Sequence, residues 1–224
     1  MRDDEELNGL DHLGDNHIAT SSDTPLRDDA FELDDQTKTE LIQKHFREIM
    51  LILGLDLTDD SLKGTPHRVA KMFVKETFSG LDPANKPHIT LFENKYDYDE
   101  MVVVRDIAFF TMCEHHFVPF FGKAHVAYIP KDKVAGLSKI NRLVQFYARR
   151  PQVQERLTQQ IANEIRDAFK TEDVAVMIEA THLCVASRGV EDAHSSTVTS
   201  KFLGRFNNHD QKQQFLEAVR AQEK

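Results

Sequence analysis

Residues 174–186, VAVMIEATHLCVA, constrain the fold more than any other stretch of the chain. The run is rich in β-branched residues and reads as a strand. Side chains on a strand alternate between its faces, so Val174, Val176, Ile178, Ala180, His182 and Cys184 share one. The apolar members need a core to cover them. The same face then ends in an imidazole and a thiol, and polar groups appended to a buried face need partners.

The rest of the pattern sets the fold class. HITLF, MVVVRDIAFF and KAHVAYIP read as further strands, as does SSTVTSKFLG near the C-terminus. A helix is expected from Thr37 to Leu53, with Thr37 and Glu40 as a capping box and Gly54 as its stop. A second follows in GTPHRVAKMFVKETFSG, with Thr65 as N-cap, Pro66 in the first turn and Gly80 at the end. Two more lie between the strands. Ser138 is expected to cap KINRLVQFYARR, and Pro151 to open QVQERLTQQIANEIRDAF, whose Val153, Leu157, Ile161, Ile165 and Ala168 form a stripe. A short helix over 211–221 closes the chain. This order predicts an α+β fold with a mostly antiparallel sheet.

The net charge of −9 is unevenly placed. Residues 1–36 hold 12 acidic and two basic residues, which leaves the remainder at +1. The acidity therefore belongs to an arm, and the body is free to accept an anion. Residues 1–33 read as an acidic, mobile arm, 34–84 as a helical region and 85–224 as the main, strand-bearing domain. No basic block suggests nucleic acid. No apolar run reaches membrane-spanning length and the first residues lack a signal segment, so the expectation is cytoplasmic, without membrane contact.

In that compartment the only two cysteines, Cys113 and Cys184, point to metal binding or plain burial rather than a disulfide. TMCEHHFVPF, residues 111–120, places Cys113 and His116 at C-x-x-H spacing, and THLC places His182 beside Cys184. Each cysteine has a close histidine. Cys113, His116 and Cys184 form a Cys2His set that suits zinc and leaves a fourth position for water, whose pKa zinc lowers to about 7. His115 and His182 then stand beside it as proton carriers. Spacing alone equally allows a closed structural site with His115 or His182 as fourth ligand; a Cys–His nucleophilic pair is a third option, but no obvious oxyanion-hole glycine lies near Cys113. Lys139, Arg142, Arg149 and Arg188 are candidate phosphate holders as well as ordinary solvated cations, and Arg68 has the same status. Gln154 and Glu155 open a helix, where a carboxylate can accept two hydrogen bonds from a purine edge.

TPHRVAKMF, CEHHFVPF, GKAHVAYIPKDKVAGLSKINRLVQFYARRPQVQERLTQQI and THLCVASRGV together resemble the GTP cyclohydrolase I family, from about residue 35 onward. The resemblance implies a tunnelling fold, an antiparallel four-stranded sheet with helices on one side, assembled as a homodecamer with active sites at subunit interfaces. It implies that GTP and water yield 7,8-dihydroneopterin triphosphate and formate through attack at C8, ring opening, rearrangement and closure. It assigns Cys113, His116 and Cys184 to Zn2+ and His115 and His182 to proton transfer. Ser138 falls to the ribose, Gln154 and Glu155 to guanine, and Lys139, Arg142, Arg188 and Arg68 to the triphosphate. Glu191, in RGVEDAHSS, departs from the basic or neutral residue expected there; it is expected to face solvent.

Overall fold

The structure, a computed structural model, describes residues 21–220. Helix α1 spans Asp35–Ile52 and α2 spans Thr65–Met72. They pack on each other. A π-helical turn, Phe73–Thr77, continues α2, and a 3-10 turn, Ser79–Leu81, follows. The strands are β1 (Leu91–Glu93), β2 (Val102–Cys113), β3 (Pro119–Tyr128) and β4 (Lys133–Ala135). Helix α3 (Leu137–Ala148), strand β5 (Pro151–Gln152) and helix α4 (Gln154–Phe169) come next. The chain ends with β6 (Val174–His182), the single turn α5 (Leu183–Ala186), β7 (Thr197–Phe202) and α6 (His209–Arg220).

The main sheet has the order β5-β2-β3-β6-β7. Its four long strands run antiparallel, as the sequence pattern implies. The fifth is a two-residue parallel strand, Met112 facing Pro151 and Cys113 facing Gln152. β1 and β4 form a separate antiparallel pair. The α+β class therefore holds, with more sheet than the four strands expected.

Alternation along β3 and β6 sorts the residues onto two faces. Val126, Tyr128, Val174, Val176 and Ile178 meet Leu143 and Val144 of α3 and Leu157, Ile161 and Ile165 of α4 in one core. Ala127, Ile129 and Ala175 point the other way and meet Phe206 and, from α6, Phe215. The closing helix thus covers the opposite face, at one end only. Toward the other end no helix among the described residues covers that face, and Phe110 stacks on Phe121 across strands at 5.2 Å while remaining 68% exposed.

Several helix starts differ from the pattern reading. Asp34, not Thr37, caps α1, its carboxylate accepting from the Thr37 N–H at 2.7 Å. Gly64 and Gly136 occupy the cap positions of α2 and α3, so Thr65 and Ser138 fall inside the helices. Pro151 is taken into β5, and Val153 becomes the cap of α4. Gly80 does not stop the helix either: the helical run ends at Phe78, and Gly80 is the middle of the 3-10 turn, required there for reasons of space. Its N–H donates to Arg149 O at 2.8 Å, and a Cβ there would collide with Phe146 O.

Of the acidic arm, residues 1–20 lie outside the described residues. Asp23 is tied to the body, accepting from Gln160 Nε2 at 2.5 Å and from Arg150 Nη1 at 3.3 Å. No helix among the described residues is long and apolar enough to cross a membrane.

Candidate active site

β2 delivers Cys113 to the edge of the core, where it is 5% exposed. The five residues that follow turn the chain back into β3. Phe117 N–H donates to Cys113 O and Cys113 N–H to Val118 O, each at 2.9 Å. Phe117 accommodates the reversal in the left-handed region, φ 51°. The turn leaves His115 and His116 exposed beside the buried thiol, their rings 6.4 Å apart. His115 Nδ1 is 3.8 Å from Cys113 Sγ.

The second half arrives from β6. His182 is its last residue, paired in register with Phe120. Contrary to the pattern reading, the strand does not continue to Cys184. The chain turns into α5 at Leu183, and that turn carries the thiol. The convergence survives the change of element: the ligand atoms of Cys113, His116 and Cys184 all lie within 4.8 Å of one another. Two sulfurs and one imidazole nitrogen so placed are a donor set that fits zinc. Burial, and then the neighbouring Cys113, push the Cys184 thiol up, with Arg188 pulling the other way. A cation between the sulfurs would remove that penalty.

His182 is fixed on two sides. Its ring stacks on Phe120, with centroids 4.4 Å apart and planes 9° from parallel. Its Nε2 lies 2.8 Å from Gln154 Oε1. The amide nitrogen of Gln154 is spent on Ile178 O, Thr197 O and Thr199 Oγ1. Gln154 Oε1 must therefore accept, His182 Nε2 carries the proton, and the lone pair sits on Nδ1. Burial pushes the His182 pKa down, and the Glu155 carboxylate opposes it. Gln154 is 2% exposed and engaged at both amide atoms. Glu155 is exposed and lines a cleft of about 210 Å3 with Thr199 and Lys201.

The remaining candidates lie elsewhere. Tyr128, at the other end of β3, accepts from the Ala135 N–H at 3.1 Å, and α3 begins two residues later. Tyr128 lies eight positions along the strand from Phe120, a rise of about 26 Å. Ser138 and Lys139 therefore sit near the far end of the sheet from the cysteines. Arg142 lines a cleft of about 650 Å3 with Arg149 and Lys75. Arg68 donates to Ser61 O and Thr65 Oγ1, on the α1–α2 pair. Arg188 follows α5 and is exposed, as is Glu191, which faces solvent as expected.

The model of the GTP cyclohydrolase I family matches residues 42–220. The chain belongs to that family. A GTP cyclohydrolase 1 from Flavobacterium johnsoniae is 54% identical over 211 residues, covering 94% of this chain and 95% of that one. One from Citrobacter koseri is 57% identical over 204 residues, covering 91% and 92%. Membership at this identity makes the chain an enzyme, a GTP cyclohydrolase. Among solved structures, an archaeosine synthase QueF-like protein is 16% identical and covers 45% of this chain and 92% of its own, with a TM-score of 0.36. That likeness is too slight to bear on either fold or site.

Three residues near the cysteines escaped the pattern reading. Glu114 accepts from Arg156, which also binds Gln152 and Pro151 O. The signal was present in one place: Arg156 lies beside the apolar stripe of α4, next to Leu157, where a cation is out of keeping.

Proposed function

We propose that the chain opens the imidazole ring of GTP by zinc-dependent hydrolysis at C8, then rearranges and closes the product to 7,8-dihydroneopterin triphosphate, releasing formate. The observation that carries this is the meeting of Cys113, His116 and Cys184 from two segments about 70 residues apart. Zinc held by these three would supply Lewis acidity and activate water near neutral pH.

The chain's own residues do the rest. His182, with its proton on Nε2 and a lone pair on Nδ1, takes and returns a proton beside the ring under attack. His115, on the exposed shoulder of the same turn, serves the leaving side. Glu155 accepts from the guanine N–H groups. Gln154 contributes to that contact by holding His182 rather than through a free amide. Lys139, Arg142, Arg188 and Arg68 neutralise the triphosphate, and Ser138 contacts the ribose during rearrangement.

Ser138 and Lys139 lie in the first turn of α3, near the Tyr128 end of β3, which is about 26 Å of strand from its Phe120 end. We infer that they serve a neighbouring subunit's cysteines, in a homo-oligomer that the family resemblance makes a decamer. The outer edge of β7 and most of that of β2 lack a strand partner among the described residues, and exposed Phe110, stacked on half-buried Phe121, marks an open face. Joining copies edge to edge would satisfy both. A cytoplasmic setting, which keeps Cys113 and Cys184 reduced, and the division into 1–33, 34–84 and 85–224 belong to the same proposal.

Incubating the purified protein with zinc and GTP tests it. Formate should appear, with a product that fluoresces after oxidation. GTP recovered intact would refute the reaction. His115→Ala should retain zinc; if it loses the metal, His115 is a fourth ligand and the site is closed.

A further inference from the structure

The turn that carries Cys113 and His116 is closed by two backbone hydrogen bonds at Cys113, and Phe117 packs edge-on against Phe78 with ring centroids 5.4 Å apart. His115, His116 and Phe117 are exposed, and Phe117 is in the left-handed region. A metal site needs its donors placed to a few tenths of an ångström, so something outside the turn must fix it. Glu114 is the residue that reaches back.

Its backbone N–H donates to Gln152 O at 3.0 Å, extending the short parallel pairing of β2 with β5 by one residue. Its carboxylate is held by Arg156 Nη2, a close ion pair whose side chains are only 20% and 4% exposed. Arg156 is itself triangulated. Nε donates to Gln152 Oε1 and Nη2 to Pro151 O, both at 3.0 Å. Gln152, fully buried, donates to Tyr147 O at 2.9 Å and to Gln160 Oε1 at 2.8 Å. Nη1 of Arg156 is buried without a partner among the described residues, so no other acceptor there competes with these three.

We propose that Arg156 is a positioning residue acting through Glu114. The buried pair, braced by Gln152, sets the turn so that Cys113 Sγ and His116 meet Cys184. The inference rests on the metal-site reading above. It adds that the geometry of that site is imposed from α4, a helix that contributes no ligand. A guanidinium suits the task because three donors in a rigid plane meet three different acceptors. Lysine keeps the charge and loses the fork. Glutamine at 114 keeps the shape and loses the charge.

The test measures zinc affinity of the full chain by competition with a chromophoric chelator, and the cobalt(II)-substituted absorption spectrum, for wild type, Glu114→Gln, Arg156→Lys and Asp173→Asn. Asp173 pairs with Arg205 at 2.9 Å and lies beside Ile129, away from the cysteines, so its variant reports general loss of stability. Glu114→Gln and Arg156→Lys should weaken zinc roughly 10- to 100-fold. They should shift the cobalt bands and lower kcat with little change in KM for GTP, and Arg156→Lys should not rescue. Asp173→Asn should lower the melting temperature and leave zinc affinity and the spectrum unchanged. Should Arg156→Lys fail to fold, Glu114→Gln, at a partly exposed position, still decides. Wild-type zinc binding with unchanged affinity and spectrum in both variants overturns the positioning role alone. A wild type that binds no zinc overturns the metal-site reading itself.

Discussion

The two ends of the main sheet are built from the same strands and differ in almost everything else. At one end, Tyr128 and Val174 pair, Tyr128 holds Ala135, and Phe206 and Phe215 of the C-terminal segment cover the second face. At the other, Phe120 pairs with His182, no helix among the described residues covers the second face, and the chain gathers two thiols, three histidines and a buried ion pair. One end is closed with apolar side chains. The other keeps its polar groups in fixed places, with histidines left open to solvent. Stability and chemistry are thus separated along a single set of strands, and Ser138, the ribose candidate, and Lys139, a phosphate candidate, lie with the stable end.

The sharpest way to break this comparison is at the chemical end. His182→Ala should keep zinc and fold while losing roughly 10²–10⁴-fold in turnover, as expected for a general acid or base. Formate release and metal content, measured together, check it; loss of both makes His182 a structural ligand. At the packed middle, Leu143→Ala removes a fully buried side chain between α3 and the sheet. It should cost about 2–5 kcal/mol by denaturant titration, with residual activity at low temperature. An unaffected midpoint would mean that this core does not carry the fold.

Lys139→Ala should raise KM for GTP by an amount equivalent to about 1.5–3 kcal/mol, the worth of a charge-assisted hydrogen bond. Mixed after dissociation with His182→Ala, it should regain part of the activity, because some sites then combine intact halves from different chains. No regain in mixed oligomers would place both groups in one chain's site.

The smallest effect concerns pH. His125 is 5% exposed, and its Nδ1 accepts from the Asp106 N–H at 3.3 Å, at the β-bulge between Val104 and Ile107. Burial pushes its pKa below the usual 6.5, with Asp106 opposing. The unfolded chain then binds more protons than the folded one between the two values. Stability is full above about pH 6.5 and falls below it, by at most about 1.4 kcal/mol per pH unit for this group. His125→Asn, which can accept the same hydrogen bond without titrating, should flatten that limb of the melting-temperature profile.

Much of this was legible in the chain before folding. The alternation from Val174 to Ala180 gave both strand and core face, and the α3 and α4 stripes gave their partners, because burial enforces periods of two and 3.6. The cysteine–histidine pairs announced a soft-donor site because few other chemistries use them together. The helix starts were misread where the cap was a glycine or an earlier aspartate, since several short polar residues compete for that position within a turn. Glu114 and Arg156 stayed hidden because a salt bridge between residues 42 apart leaves no local period.

By itself, then, the sequence determined which faces are apolar, which donors exist and how the strands and helices succeed one another, since each depends on neighbours a few residues away. Only the tertiary structure decided that Cys184 sits on a helical turn and still reaches Cys113, that Gln154 is committed to His182, and that Ser138 and Lys139 fall at the opposite end. Those depend on strand register and on where the chain reverses, which are settled by the packing of the whole sheet and not by any one segment.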